Sequence, residues 1–264
     1  MPVQLEIIKQ IPESTSHPTP LLFIHGAWHG AWCWDEHFLS YFAKHGYRSY
    51  AVSLRGHGAS DGRQHLAGTR FRDYMEDVEQ VINQLETLPI VIGHSMGGFI
   101  VQKLMKTHKL PAVILLAPSP RIGIIVTVLS LLRRQPLAFL KGTFLFALHP
   151  LLGLPPLIPN ACFSLSLPAP QRQKYTALLQ PESFLAILDT FVFDLSKPRD
   201  TDIPMLVLGS SLDIFVPPQT VKTTARLYKA QNEILENVSH DMMLDAAWQD
   251  VAEKIVTWLK QLGI

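Results

Sequence analysis

Apolar positions along this chain follow two rhythms. Short unbroken runs at residues 21–24, 89–92, 111–117 and 204–209 have the length and turn-bounded setting of strands buried on both faces. Between them, Tyr74, Val78, Val81, Ile82 and Leu85 recur at helical spacing and predict a helix over 71–88. Further helices are expected at 35–45, after residue 98, at 218–229 and at 247–262, with strands at 3–8, 47–53 and 232–235. The Pro-rich stretch 11–20 reads as a loop. Strands that alternate with helices predict an α/β fold, a mostly parallel sheet covered on both faces.

The alternation stops between residues 119 and 202. This stretch is rich in Leu, Phe and Pro, with helix candidates at 122–134, 137–147, 169–179 and 181–195. It predicts a helical lid, 119–202, inserted into a core formed by 1–118 and 203–264. Its most hydrophobic part, 122–132, is followed by Arg133 and Arg134; at eleven residues it falls short of a bilayer span, which takes about 20. A buried helix is the first reading, and weak contact with a membrane surface the second.

Composition narrows the function classes. The 264 residues are 47% hydrophobic and 17% charged with a formal net charge of +1, which supports a large core. With no basic block or acidic tail in the sequence, neither nucleic acid nor a strongly charged partner is expected. Cys33 and Cys162 fit neither a metal spacing nor a disulfide framework. The first residues lack the basic start and apolar stretch of a secretory leader, so a cytoplasmic protein is expected.

The chemistry is concentrated at Gly93-His94-Ser95-Met96-Gly97-Gly98, where an apolar strand breaks and a helical pattern begins at once. A serine at the apex of so sharp a turn stands exposed as a nucleophile. The flanking glycines make room, and the helix start favours developing negative charge. An acid is expected from Asp213, alone in the apolar loop after the strand 204–209. Its competing reading is a turn Asp that caps the next helix. Asp189 and Asp194 fall in the lid, while Asp241 and Asp245 lie too near the histidine they would have to orient. A base is expected from His240, between the last strand and the last helix, which completes the order Ser, Asp, His. His94 reads as a residue packed beside the turn. Gly26, after His25, lets the backbone turn so that the Ala27 N–H, with that of Met96, forms an oxyanion hole. Trp28 is the candidate substrate contact.

These motifs, together with Arg55-Gly56-His57-Gly58-Ala59-Ser60, resemble the lid-bearing esterase and lipase branch of the α/β-hydrolase superfamily over nearly the whole chain. The run His25-Gly26-Ala27-Trp28-His29-Gly30-Ala31-Trp32-Cys33-Trp34 is similar to plant methylesterases and hydroxynitrile lyases. The Arg-Gly-His-Gly loop and long lid look more like monoacylglycerol lipases and bacterial carboxylesterases. The resemblance implies ester hydrolysis through an acyl-enzyme, without metal or organic cofactor; the apolar lid and Trp28 point to a small-molecule ester with an apolar or lipid-like acyl group. Cofactor-free lyase or haloperoxidase-like chemistry, or a small-molecule receptor with a slow triad, are the alternatives. The sequence sets no oligomeric state.

Overall fold

A computed structural model describes residues 3–14, 17–120, 133, 137, 161–192 and 202–264. Apart from positions 133 and 137, the expected helices at 122–134 and 137–147 lie outside the described residues, so the lid boundaries remain an expectation. No described helix is long and apolar enough to cross a membrane.

The described strands are β1 (Ile7–Gln10), β2 (Leu21–Ile24), β3 (Ser49–Val52), β4 (Ile90–His94), β5 (Val113–Leu116), β6 (Met205–Ser210) and β7 (Gln231–Leu235). They form one sheet in the order β1-β3-β2-β4-β5-β6-β7. All neighbours are parallel except β1, which runs antiparallel to β3 at one edge. The helices are α1 (Trp32–Asp35), α2 (Phe38–Lys44), α3 (Phe71–Gln84), α4 (Met96–Leu104), α5 (Ala169–Leu178), α6 (Phe184–Val192), α7 (Pro218–Tyr228) and α8 (Trp248–Gln261).

The apolar runs read in the sequence are the central strands, and every residue of β2, β4, β5 and β6 is buried. Each such Leu, Ile or Val contributes about 1.5–3 kcal/mol by leaving water. Register then does the positioning. Ile24 pairs with Gly93, His94 with Leu116, and Leu116 with Leu208, so these four strands end at one level and their loops meet. In a parallel sheet this rim is where ligands bind.

Two elements depart from expectation. The helix expected over 35–45 is divided at His37, whose φ of −139° leaves the helical region while its ring stacks on Trp248 at 4.5 Å. The first strand lies at Ile7–Gln10 rather than 3–8. Glu6 is used instead as an acceptor, its side chain taking hydrogen bonds from Ser53 Oγ and the Ala59 N–H.

Candidate active site

Ser95 is the single residue between β4 and α4, with φ 52° and ψ −116°. Positive φ at a non-glycine residue costs roughly 1–3 kcal/mol and persists only where the surroundings impose it. They do so here by close approach. A Cβ on Gly97 would stand 2.5 Å from the His25 carbonyl oxygen, and one on Gly93 2.6 Å from that of Gly97. The Ser95 N–H donates to the Leu116 carbonyl at 3.0 Å, and its own carbonyl accepts from Phe99 and Ser119. The hydroxyl is left facing the rim.

Asp213 and His240 arrive from the loops after β6 and β7. His240 Nε2 lies 3.0 Å from Ser95 Oγ, and its Nδ1 donates to Asp213 Oδ2 at 2.7 Å. The second carboxylate oxygen of Asp213 accepts from the Phe215 and Val216 N–H groups, both at 2.8 Å. Asp213 therefore also holds the turn of its loop, with one oxygen for each task, but it does not cap the helix that follows, whose N-cap Pro217 has no side-chain partner. Burial alone would push the His240 pKa down, but the charge and hydrogen bond of Asp213 outweigh it and hold it above the ordinary value.

The oxyanion-hole candidates lie beside the hydroxyl. Ala27, Trp28, Ser95, Met96, Phe215, Val216 and His240 line one small cavity of about 50 Å³, bounded further by Ile187 and Thr190 of α6. His25 Nδ1 donates to the Gly26 carbonyl at 2.7 Å, which fixes the peptide whose other end is the Ala27 N–H. Among the described residues neither the Ala27 nor the Met96 N–H has a backbone partner. Trp28, at φ 68°, places its ring 6.1 Å from that of Phe215.

The remaining candidates from the sequence have other partners. His94 Nε2 donates to the His240 carbonyl at 3.0 Å, and burial together with the His240 charge pushes its pKa down to about 3, so the ring is neutral. Asp189 on α6 pairs with Arg70, and Asp245 accepts from Ser164 Oγ and the Ser239 N–H. Asp194 is outside the described residues. Asp241 takes His29 Nε2 as its partner, 2.9 Å off, and neither was read from the sequence as part of a site. Each stood beside a site residue, but the pairing across 212 positions left no local signal. Atoms of His94, His240 and Asp241 lie close enough to hold a metal ion. Both nitrogens of His240 and Nε2 of His94 are already engaged in hydrogen bonds, which argues against a cation held through them.

Gln180, Glu182, Ser183 and Asp189 hold the 161–192 segment to the core. The Gln180 N–H donates to the Trp28 carbonyl at 2.8 Å, and its side chain accepts from the Gly58 N–H. Glu182 accepts from Tyr74 and sits 3.4 Å from His57 Nε2, an ion-pair contact rather than a hydrogen bond. Burial would lower the His57 pKa and raise that of Glu182; their mutual attraction reverses both.

The parallel sheet, the serine elbow and an acid and a histidine on later loops define a class, the α/β hydrolases. Residues 21–254 match the Alpha/beta hydrolase family, and the chain belongs to it. It is 32% identical over 90 residues to a pyrethroid hydrolase of Sphingobium wenxiniae, covering 34% of this chain and 31% of that protein. It is 41% identical over 80 residues to a non-heme chloroperoxidase of Streptomyces lividans, covering 30% and 28%. The matched stretches thus span about a third of these relatives. The fold is similar to that of a bromoperoxidase from Bacillus anthracis, with a TM-score of 0.74 and 20% identity over 98% of this chain and 96% of that one.

Proposed function

We propose that the chain is a serine esterase that cleaves small apolar carboxylic esters. The observation behind this reading is the continuous chain from Asp213 through His240 to Ser95 Oγ, at 2.7 and 3.0 Å, opening on a cavity walled by Trp28, Met96, Ile187, Phe215 and Val216.

In the first step His240 Nε2 takes the Ser95 proton as Oγ attacks the ester carbonyl, and Asp213 stabilises the imidazolium that forms. The Ala27 and Met96 N–H groups receive the oxyanion; losing one such donor costs about 2.7–4 kcal/mol. His240 then returns the proton to the leaving alcohol. Water, deprotonated by the same nitrogen, hydrolyses the acyl-enzyme. The residues named complete the cycle without a cofactor. The 161–192 segment is read as part of a lid, since α6 walls the cavity and Gln180 holds the Trp28 carbonyl.

Initial rates of wild type and Ser95→Ala on aryl esters from acetate to palmitate test this. Ser95-dependent turnover is the expected result, and wild-type rates no faster than the variant at any length would overturn it. The identity to the chloroperoxidase favours a second reading, in which the acyl-enzyme meets a nucleophile other than water. Peroxide-dependent halogenation exceeding ester turnover would select it.

A further inference from the structure

Behind the triad lies a second buried network made of residues that flank it. His94 precedes Ser95, Asp241 follows His240, and His29 is two residues past Ala27. His29 Nδ1 donates to the Ala27 carbonyl at 2.7 Å, and Nε2 lies 2.9 Å from Asp241 Oδ2. Both ring nitrogens face acceptor oxygens, so the ring bridges two loops. His29 and Asp241 are 1% and 0% exposed, so neither bond competes with water. The Asp241 N–H donates to the Cys162 carbonyl at 3.0 Å, and His94 holds the carbonyl of the preceding residue, His240. The two peptides around Ala27 are each held by a histidine of the same loop. His25 holds the one before it; His29 holds the one after it and is tied in turn to Asp241, on the loop that supplies the base.

We propose that His29 and Asp241 are positioning residues for the acyl-transfer step, coupling the loop that presents the Ala27 N–H to the loop that presents His240. The inference rests on the esterase reading above. Its physical basis is that a transition state needs the oxyanion donor and the base placed together, and misplacement by about 1 Å can cost on the order of 100-fold in rate. A buried ion pair is weak support for stability by itself, because desolvation offsets the attraction. What sets this pair apart is that one end holds the Ala27 carbonyl while the other belongs to the residue that follows His240. The network also bears on the charge at the site. With His29 in place Asp241 has a buried imidazole partner; without it, its carboxylate is left with His94, His240 and the buried thiols of Cys162 and Cys33.

The test uses the full chain and 4-nitrophenyl acetate, with phenylboronic acid as a tetrahedral analogue. His29→Asn keeps a donor where Nδ1 stands and loses the reach to Asp241; His29→Gln does the reverse. His29→Ala removes both, and Asp241→Asn removes the charge. The expected result for His29→Ala is a kcat loss of about 100-fold, KM within about twofold, and a parallel loss of boronate affinity. His29→Asn and His29→Gln should each recover part of the rate. The pH–rate profile of His29→Gln should show its acid limb moved upward, an effect that a packing role would not produce. Folded variants with wild-type kcat and boronate affinity would overturn the proposal. So would variants that all fail to fold, which would make the pair a stability element. If wild type itself shows no Ser95-dependent hydrolysis and no boronate binding, the esterase reading fails first, and the two failures are thereby distinguished.

Discussion

Two buried histidine–carboxylate pairs stand in different settings, His240 with Asp213 in the loops of the sheet and His57 with Glu182 where the 161–192 segment meets the core. In both, attraction outweighs burial and raises the histidine pKa. They differ in what the second ring nitrogen faces. His57 Nδ1 donates to the Arg55 carbonyl at 3.2 Å and Nε2 faces the Glu182 carboxylate at 3.4 Å, so neither nitrogen meets a group with a proton to give. His240 Nε2 faces a hydroxyl that can surrender its proton to it. The same two residue types therefore make a clamp in one place and, on our reading, a base in the other. The distinguishing feature is one exchangeable proton at a cavity wall.

The largest expected difference follows from breaking each pair conservatively. Asp213→Asn keeps an oxygen for the Phe215 and Val216 N–H groups but presents the wrong partner to His240 Nδ1. It should lower kcat of the folded protein by about 10⁴-fold, as steady-state kinetics will tell. Glu182→Gln should act on stability and not on kcat. Breaking a fully buried pair costs roughly 3–5 kcal/mol, read as a lower urea midpoint, while the folded fraction keeps kcat within an order of magnitude. Should Glu182→Gln lose activity as Asp213→Asn does, without loss of stability, the comparison collapses.

A smaller effect is expected at the neighbouring contact between Arg70 and Asp189. The Arg70 side chain is 56% exposed, so screening leaves the pair worth less than about 1 kcal/mol, and Arg70→Ala should barely move the urea midpoint. The finest distinction is in pH. His240 must be unprotonated to take the Ser95 proton, and its pKa is raised, so activity is lost as pH falls through a value above the ordinary histidine figure of about 6.5. A kcat/KM profile with its acid limb below that figure would contradict the assignment of Asp213 as its partner. His94, held near 3, adds no limb in the neutral range.

The parts of the molecule legible in the sequence are those whose physics is local. β2, β4, β5 and β6 are continuous apolar runs because parallel strands are covered on both faces, and their lengths read almost directly. Ser95 was legible because Gly93 and Gly97 must lie beside it to admit the turn, and Asp213 and His240 because each follows a strand in the expected order. The edge strand β1 gave a weaker signal, since its residues are only partly buried and one side lacks a strand partner. The division between α1 and α2 depends on His37 meeting Trp248, 211 positions away, which no helical period encodes. Asp241 was set aside for its nearness to His240, a sound geometric reason that said nothing about His29. Likewise Glu182 and Gln180 looked like ordinary lid residues. Their partners, His57, Tyr74, Trp28 and Gly58, are fixed only by the folded chain.

The central claim is that Ser95 becomes acylated. Wild type and Ser95→Ala can be mixed with 4-nitrophenyl acetate, quenched in acid within the first turnover, and digested for mass analysis. The account predicts one acetyl group on the peptide that contains Ser95 in wild type, formed with a burst of nitrophenolate, and neither in the variant. Turnover of the ester with Ser95 unmodified, or an equal burst in Ser95→Ala, would contradict it.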